Sequence, residues 1–253
     1  MKEHKTFVIG IFCLIHSIGM AQKIITDRPD QTESSSTIPK KSLQIESGIL
    51  LGYAEDDGIS LREIAVPSTL FRYGITKNVE LRLVSQYLNI REENTEMEIS
   101  GIADLEIGAK IQLFKKEDSR TEIAFLSHLL VPTGTKEVSL GKVGTINKLS
   151  VSHELSDTMG LGYNIGYNYF GLENGFLTYS LALSIAINEK AGVYIEPYGD
   201  IGLFDKYFSN IDAGMTYLLK DNFQLDFSFG TGLNYTMNYL SAGFSWNIAA
   251  DKN

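Results

Sequence analysis

The sequence predicts an all-β fold: an antiparallel transmembrane β-barrel of about 12 strands with a non-strand N-terminal segment. Three observations predict it: long segments of alternating polarity, turns of alternating length, and aromatic residues near strand ends. The alternation is clearest at residues 176–187, where Leu177, Leu181 and Ile185 share one face and Thr178 and Ser180 share the other. Successive side chains of a strand point to opposite faces, so one face suits lipid and the other is small and polar.

The strands follow one another from residue 42 to the end of the chain. They are predicted at residues 42–53, 60–74, 78–91, 100–115, 119–132, 144–156, 158–170, 175–188, 191–200, 206–219, 222–233 and 238–248. Short connections alternate with longer ones, as short periplasmic turns and longer outer loops do in outer-membrane barrels. The pattern is weakest in the second, fifth and sixth strands.

The N-terminus has the features of a secretion signal. A short charged start is followed by an apolar run at residues 7–15, and Gly19 and Ala21 supply small residues at the −3 and −1 cleavage positions. The predicted organisation is therefore a signal peptide at 1–21, a polar segment at 22–41 and an outer-membrane barrel at 42–253. The run is too short for a spanning helix.

Charge and composition exclude several partners. The formal net charge is −9, and removing the signal makes it about −10, because Lys2, Glu3 and Lys5 contribute a net +1. A nucleic-acid partner is not expected, since phosphate binding needs a basic face. Cleavage also removes Cys13 and leaves His128 and His153, so we expect no metal site and no cofactor.

A soluble β-sandwich or lipocalin-like barrel would also alternate. Two features favour the membrane: a polar face rich in Gly, Ser and Asn, and aromatic residues near strand ends, where membrane barrels carry girdles. These aromatic residues are Tyr53, Tyr73, Tyr87, Phe114, Tyr169, Phe170, Tyr207, Phe208, Tyr217 and Tyr239.

Charged residues on the polar face are the candidates for lumen or selectivity residues. They are Arg72, Glu80, Arg82, Asp104, Glu106, Lys110, Glu196, Asp212 and Asp226. Arg72 and Glu80 flank one short hairpin and could lie across from each other. The charges could pair to hold the wall together, or they could set solute selectivity as rings of charge do in pores. Their excess of acid would disfavour anionic solutes.

Catalysis is not expected. Ser127 is adjacent to His128, and Ser152 is adjacent to His153 and Glu154. This adjacency does not build a catalytic site, because neighbouring side chains of a strand point to opposite faces. No nucleophile elbow, paired-carboxylate motif or phosphate loop is present in the sequence.

The polar N-terminal segment admits three interpretations. It could be a flexible tether, a plug whose charges pair with the lumen, or a periplasmic docking site for another protein. The plug candidates are Asp27, Arg28, Asp30 and Glu33. The sequence does not choose among the three.

Four motifs in order resemble a known family: residues 26–34 (TDRPDQTES), 43–48 (LQIESG), 71–76 (FRYGIT) and 79–83 (VELRL). The chain is similar to bacterial outer-membrane barrels labelled "MetA-pathway of phenol degradation", often described as transporters. The TDRPDQTES form resembles members from Bacteroidetes-type bacteria. The resemblance spans nearly all of the mature chain and implies a barrel with solute passage.

The leading prediction is a channel or transporter for small solutes, apolar or aromatic ones among them. Two alternatives stay open: a structural or partner-binding barrel with a closed lumen, and a barrel enzyme. The expected partners are membrane lipid, lipopolysaccharide and a small-molecule solute. Protein partners and the oligomeric state are left open.

Overall fold

A computed structural model describes residues 24–56, 58–171, 174–202 and 207–248, so the predicted signal at 1–21 lies outside the described residues. The described chain is built of strands. They are β1 (Leu43–Asp56), β2 (Ile59–Gly74), β3 (Val79–Glu92), β4 (Glu98–Ile102), β5 (Leu105–Phe114), β6 (Thr121–Val131), β7 (Gly144–Ser156), β8 (Met159–Tyr169), β9 (Phe176–Ala186), β10 (Ala191–Gly202), β11 (Tyr207–Lys220), β12 (Phe223–Gly232) and β13 (Thr236–Ile248). Within these ranges, no helix is long and apolar enough to cross a membrane.

The strands close into a ring. Antiparallel pairing runs in chain order from β5 to β13, and then β13 pairs with β1, β1 with β2, and β2 with β3. Both β4 and β5 pair with β3, β4 along its Tyr87–Arg91 stretch and β5 along its Val79–Val84 stretch. They therefore form one interrupted strand of the wall, and the fold is a closed 12-strand barrel plus one extra strand. The predicted fold class is confirmed.

The predicted strand at 100–115 differs from the structure at one point, because it is broken at Ala103 and Asp104. The backbone of Ala103 still bonds to the wall, with its N–H donating to the carbonyl of Gln86 at 2.9 Å. Asp104 instead turns its carboxylate to the connection between β6 and β7. The β6–β7 connection has three hydrogen-bond donors that need an acceptor, and Asp104 leaves the strand to provide one.

The barrel is apolar outside and polar inside. In β12, Gln224, Asp226 and Ser228 are buried, whereas the alternate positions Leu225 and Phe227 are each 41% exposed. The largest fully buried side chains of the molecule include Arg72, Arg82 and Lys110. A soluble β-protein places its apolar face inside, so this distribution excludes the soluble alternative.

Most of the predicted end-of-strand tyrosines face outward. Tyr53, Tyr73, Tyr87, Tyr169, Tyr207 and Tyr217 are exposed. Tyr239 differs, because it is only 7% exposed and its hydroxyl donates to Asp212 Oδ2 at 2.5 Å. It shares the inward face of β13 with Ser241, so it belongs to the lumen.

The two ends of the barrel differ. Leu43 pairs with Ile248, so the wall begins and ends at the rim that carries the short turns. The N-terminal segment enters at this rim, where Ile24 N–H donates to the Asp221 carbonyl at 3.0 Å, and returns to it, where Lys41 N–H donates to the Gly74 carbonyl at 2.7 Å. The longer connections lie at the opposite, outer rim.

One β-bulge re-aims the outer half of β2. It lies at Val66 and Pro67, where the pairing shifts against both β1 and β3, and Pro67 has no N–H for the ladder. Beyond the bulge, Gly52 pairs with Glu63 on one side and with Tyr239 on the other. Since Tyr239 faces the lumen, Glu63 faces it as well.

Candidate functional site: the barrel lumen

The N-terminal segment, residues 24–41, lies inside the ring. Its deepest part reaches the middle of the wall strands, where Gln31 N–H donates to Glu196 Oε2 of β10 and Glu33 N–H donates to Asn164 Oδ1 of β8, both at 2.7 Å. Near the rim, Ile38 N–H donates to Glu80 Oε2 at 2.9 Å. The segment therefore occupies the half of the lumen nearest the short turns, and cavities of about 420 and 310 Å³ remain between it and the wall on the β6–β12 side.

Three buried cations of the wall, Arg72, Arg82 and Lys110, form what we call the basic cluster. Asp27 of the N-terminal segment contacts all three. Its Oδ2 lies 2.5 Å from Arg82 Nη1, 2.9 Å from Lys110 Nζ and 3.3 Å from Arg72 Nη1. A buried charge is costly unless it is paired, so this carboxylate stabilises the cluster where it lies.

Both the wall and the segment supply further acids to the basic cluster. Arg72 lies 2.9 Å from Glu80 and 2.9 Å from Glu46, and Arg82 also contacts Glu80 at 2.9 Å. A second acid of the segment, Glu33, lies 2.7 Å from Arg82 Nη2. Glu80 lies diagonally from Arg72, because the residue directly opposite Arg72 is Arg82.

His128 joins this network. Arg82 Nε, which can only donate, lies 3.0 Å from His128 Nε2, and His128 Nδ1 lies 2.9 Å from Glu106 Oε2. The network therefore assigns the imidazole proton to Nδ1, which donates to Glu106. His128 acts as a bridge between β5, β6 and Arg82.

The histidines do not meet their neighbouring serines. Ser127 Oγ donates to Asn147 Oδ1 at 2.8 Å on the other face of β6. Ser152 Oγ lies 2.5 Å from Ser35 Oγ, whereas His153 Nδ1 lies 2.8 Å from Thr121 Oγ1. The described residues hold no group of three His, Cys, Asp or Glu side chains that could bind a metal ion.

Arg28 is the third charged residue of the segment with a close partner in the wall. Its Nη2 lies 2.8 Å from Asp226 Oδ1 and 3.0 Å from Ser241 Oγ. Two wall glycines make room for it, because a Cβ on Gly48 or Gly243 would lie 2.6 or 2.5 Å from Nη2. Substitution of either glycine would displace the guanidinium.

Glu196 and Asp212 form an acidic pair. They lie directly opposite each other on β10 and β11, and both are buried. Like charges at such positions repel, but hydrogen bonds from the segment and the wall offset the repulsion. Thr32 Oγ1 donates to Glu196 Oε1, and the Tyr239 hydroxyl donates to Asp212.

Asp104 stands apart from these groups. Its carboxylate accepts hydrogen bonds from Gly134 N–H at 2.9 Å, Ser139 Oγ at 2.6 Å and Leu140 N–H at 2.9 Å. It therefore anchors the connection between β6 and β7 at the outer end of the barrel.

The outer half of the lumen contains a cavity of about 340 Å³ that we call the outer pocket. Gln31, at the tip of the segment, contributes to it from below. Its lumen-facing wall is mainly apolar, with Glu63 as the charged member; the other wall residues include Leu50, Leu61, Ile90, Tyr198 and Met237. A cavity of this size with a mainly apolar lining is typical of small-molecule sites.

The outside of the same wall carries a groove of about 870 Å³. It runs across β10 to β13, β1 and β2, and its apolar side chains include Leu51, Ile195, Phe229 and Leu240. Gly52, Glu63 and Tyr239 line both the groove and the outer pocket. A single layer of strands separates the pocket from the lipid-facing surface.

The sequence reasoning missed several members of the site. Glu46 lies on the same face of β1 as Gln44 and Gly48, and alternation could have found it. Glu63 lies in the second strand, where a register shift hides its orientation. Thr32 and Gln31 belong to the segment, but their wall partners depend on tertiary contacts that no local pattern carries.

A closed ring with an apolar exterior and a charged interior defines an outer-membrane β-barrel protein. The family described as "Putative MetA-pathway of phenol degradation" matches residues 26–248, and the chain belongs to this family. Comparison with the curated proteins by sequence finds no significant match.

Solved structures share the fold at low identity. The COG4313 outer membrane channel from Pseudomonas putida F1 superposes with a TM-score of 0.73 and 10% identity, covering 85% of this chain and 98% of that one. The KdgM porin in complex with disordered oligogalacturonate gives a TM-score of 0.54 at 10% identity, covering 81% and 99%. The NanC porin gives 0.51 at 9% identity, covering 79% and 98%. These structures are channels and porins, and the outer-membrane barrel expected from the sequence is confirmed.

Proposed function

We propose that the barrel carries small solutes, apolar or aromatic ones among them, across the outer membrane. The outer pocket is the observation that carries this proposal. It is an apolar-walled cavity inside a lumen that is otherwise polar, and it opens on the outer side of the N-terminal segment. The family description, which refers to phenol degradation, agrees with an aromatic solute. The proposal needs no catalytic group and no cofactor.

We further propose that residues 24–41 act as a plug for the periplasmic half of the lumen. Asp27, Arg28 and Glu33 each contact a charged side chain of the wall at 2.8 Å or less. The backbone donors of Gln31 and Glu33 add bonds at the middle of the barrel. A tether without a binding role would not need these partners.

Two routes lead from the outer pocket. An axial route requires the plug to leave its partners. A lateral route crosses the single layer of strands at Gly52 and Tyr239 and ends in the apolar groove on the outside of the wall. Transport that persists with the plug fixed in place would select the lateral route.

Two leucines on opposite faces of the wall test the site of passage. Leu50 lines the outer pocket, whereas Leu181 is 42% exposed on the lipid face of β9, away from the pocket and the groove. Leu50→Trp fills the pocket, and we expect it to lower the uptake of a labelled aromatic alcohol by Gram-negative cells about tenfold, because the solute loses its binding cavity. Leu181→Trp is the matched control and should leave uptake unchanged. Equal uptake by the two variants would contradict passage through the pocket.

The second candidate function is a closed barrel that binds a partner. The paired charges around the plug favour it, because they hold the segment across the inner half of the described lumen. Such a barrel would show no solute uptake above that of cells without it.

A further inference from the structure

We propose that the outer pocket selects solutes that join a small apolar body to a protonated amine, with Glu63 as the group that binds the amine. This inference rests on the proposed function, since it names the class of solute for the same pocket. The recognition would divide the solute in two: the apolar part against the leucine, isoleucine and methionine side chains, and the ammonium against the carboxylate.

The position of Glu63 carries the inference. Its side chain is half-buried, it faces the lumen beside Gly52, and it lines the outer pocket. Among the described residues, no hydrogen bond or ion pair reaches its carboxylate. Acids of the inner half such as Glu46, Glu80 and Asp226 accept hydrogen bonds from the segment or the wall, whereas Glu63 is a half-buried carboxylate without such a donor. A charge in such surroundings favours a ligand that brings the opposite charge.

The residues around Glu63 strengthen the preference for a cation. No Lys or Arg side chain from the described lumen face lines the outer pocket, because Arg62 lies on the outward face of β2 and pairs there with Glu93. Asp200 lies on the lumen face of β10 nearer the outer rim, and no ion pair to it is present among the described residues. Two unpaired carboxylates along one path attract cations and repel anions.

The aromatic residues fit the same ligand. Tyr198 and Tyr239 line the pocket together with Glu63. The face of a tyrosine ring attracts an ammonium group, and its edges pack against an apolar body.

A bare metal ion fits the pocket less well. Calcium and magnesium take about six or more oxygen ligands. The lining of the outer pocket offers one carboxylate among apolar side chains. An organic cation, which brings its own apolar surface, uses the whole wall.

Three solutes with the same phenylethyl-type body test the inference: 2-phenylethylamine, 2-phenylethanol and phenylacetate. Binding to the full-length barrel in nanodiscs is measured by calorimetry at pH 7, with empty nanodiscs as the baseline. We expect the amine to bind about tenfold more tightly than the alcohol, since hydrogen bonds to a charged group are among the stronger ones, and the acid to bind most weakly.

The variants locate the effect. Glu63→Gln should lower the affinity for the amine to that for the alcohol and leave the affinity for the alcohol unchanged. Glu137→Gln removes an equal charge from the exposed β6–β7 connection and should change neither. Glu63→Asp keeps the negative charge and should still bind the amine more tightly than the alcohol. It is the variant to measure if Glu63→Gln does not fold.

Equal affinity of the wild-type protein for amine and alcohol would overturn the inference and leave the proposed function standing, as would an amine preference that survives in Glu63→Gln. The proposed function fails separately if cells expressing the barrel take up none of the three solutes and none binds.

Discussion

Asp27 illustrates how one carboxylate organises the inner half of the lumen. It lies within 3.3 Å of three cations, which come from β2, β3 and β5. The interior of an ordinary domain excludes such groups, whereas a barrel interior collects them on one face of every strand. The alternation pattern predicted that Arg72, Arg82 and Lys110 would face inward. Their convergence on a single residue of the segment depends on the closure of the ring.

Asp27→Asn tests this role. The substitution keeps the shape of the side chain and removes the charge, so the three buried cations lose a shared partner. We expect a loss of about 3 kcal/mol in folding stability, the lower end for breaking a buried ion pair. The measurement is the denaturant midpoint at which the folded, fast-migrating form is lost on an unboiled gel.

Asp118→Asn is the control for that experiment, because Asp118 is exposed in the turn between β5 and β6. It should leave the midpoint unchanged. A midpoint for Asp27→Asn equal to that of the control would show that the segment is not held by the basic cluster.

The strand is the scale at which the sequence was most informative. Alternation along β8, β9, β12 and β13 needs no knowledge of neighbours, because each side chain reports its own face. The same pattern missed the break between β4 and β5, since that break follows from the hydrogen bonds of Asp104 to a distant connection. It also missed the bulge in β2, whose effect on Glu63 appears only when β2 is paired with β1 and β3.

The lipid-facing side of β12 provides a test at this scale. Phe227, 41% exposed, lies near the middle of the strand, and Thr231 faces the same way near its outer end. Phe227→Lys should cost about 2–4 kcal/mol of folding free energy in a bilayer, whereas Thr231→Lys should cost about 0–1 kcal/mol, because the penalty depends on depth. Urea titration of folding into lipid vesicles measures both. Equal costs would contradict the depth assigned to β12.

At the scale of the whole molecule, the lumen has two halves of different chemistry. The half near the short turns contains residues 24–41, which ion pairs hold to the wall, and the outer half contains the apolar-walled pocket. The sequence left tether, plug and docking site open as interpretations of the segment. It could not choose, because each contact of Asp27, Arg28 and Glu33 joins residues far apart in the chain.

The net negative charge of the lumen wall predicts the ion preference of a barrel without the segment. The wall keeps Glu46, Glu80, Glu196, Asp212 and Asp226 against Arg72, Arg82 and Lys110 when the segment is removed. Acidic walls raise the local concentration of cations. A barrel without the segment should therefore prefer cations to anions.

Planar-bilayer conductance of the full-length barrel and of a form lacking residues 24–41 tests the central claim most directly. Both proteins must first show the faster migration of a folded barrel on an unboiled gel. We predict that the full-length protein gives no steady current and that the truncated form gives discrete, cation-preferring steps. Steps of equal size from both proteins, or silence from both, would contradict a lumen closed by its own N-terminal segment.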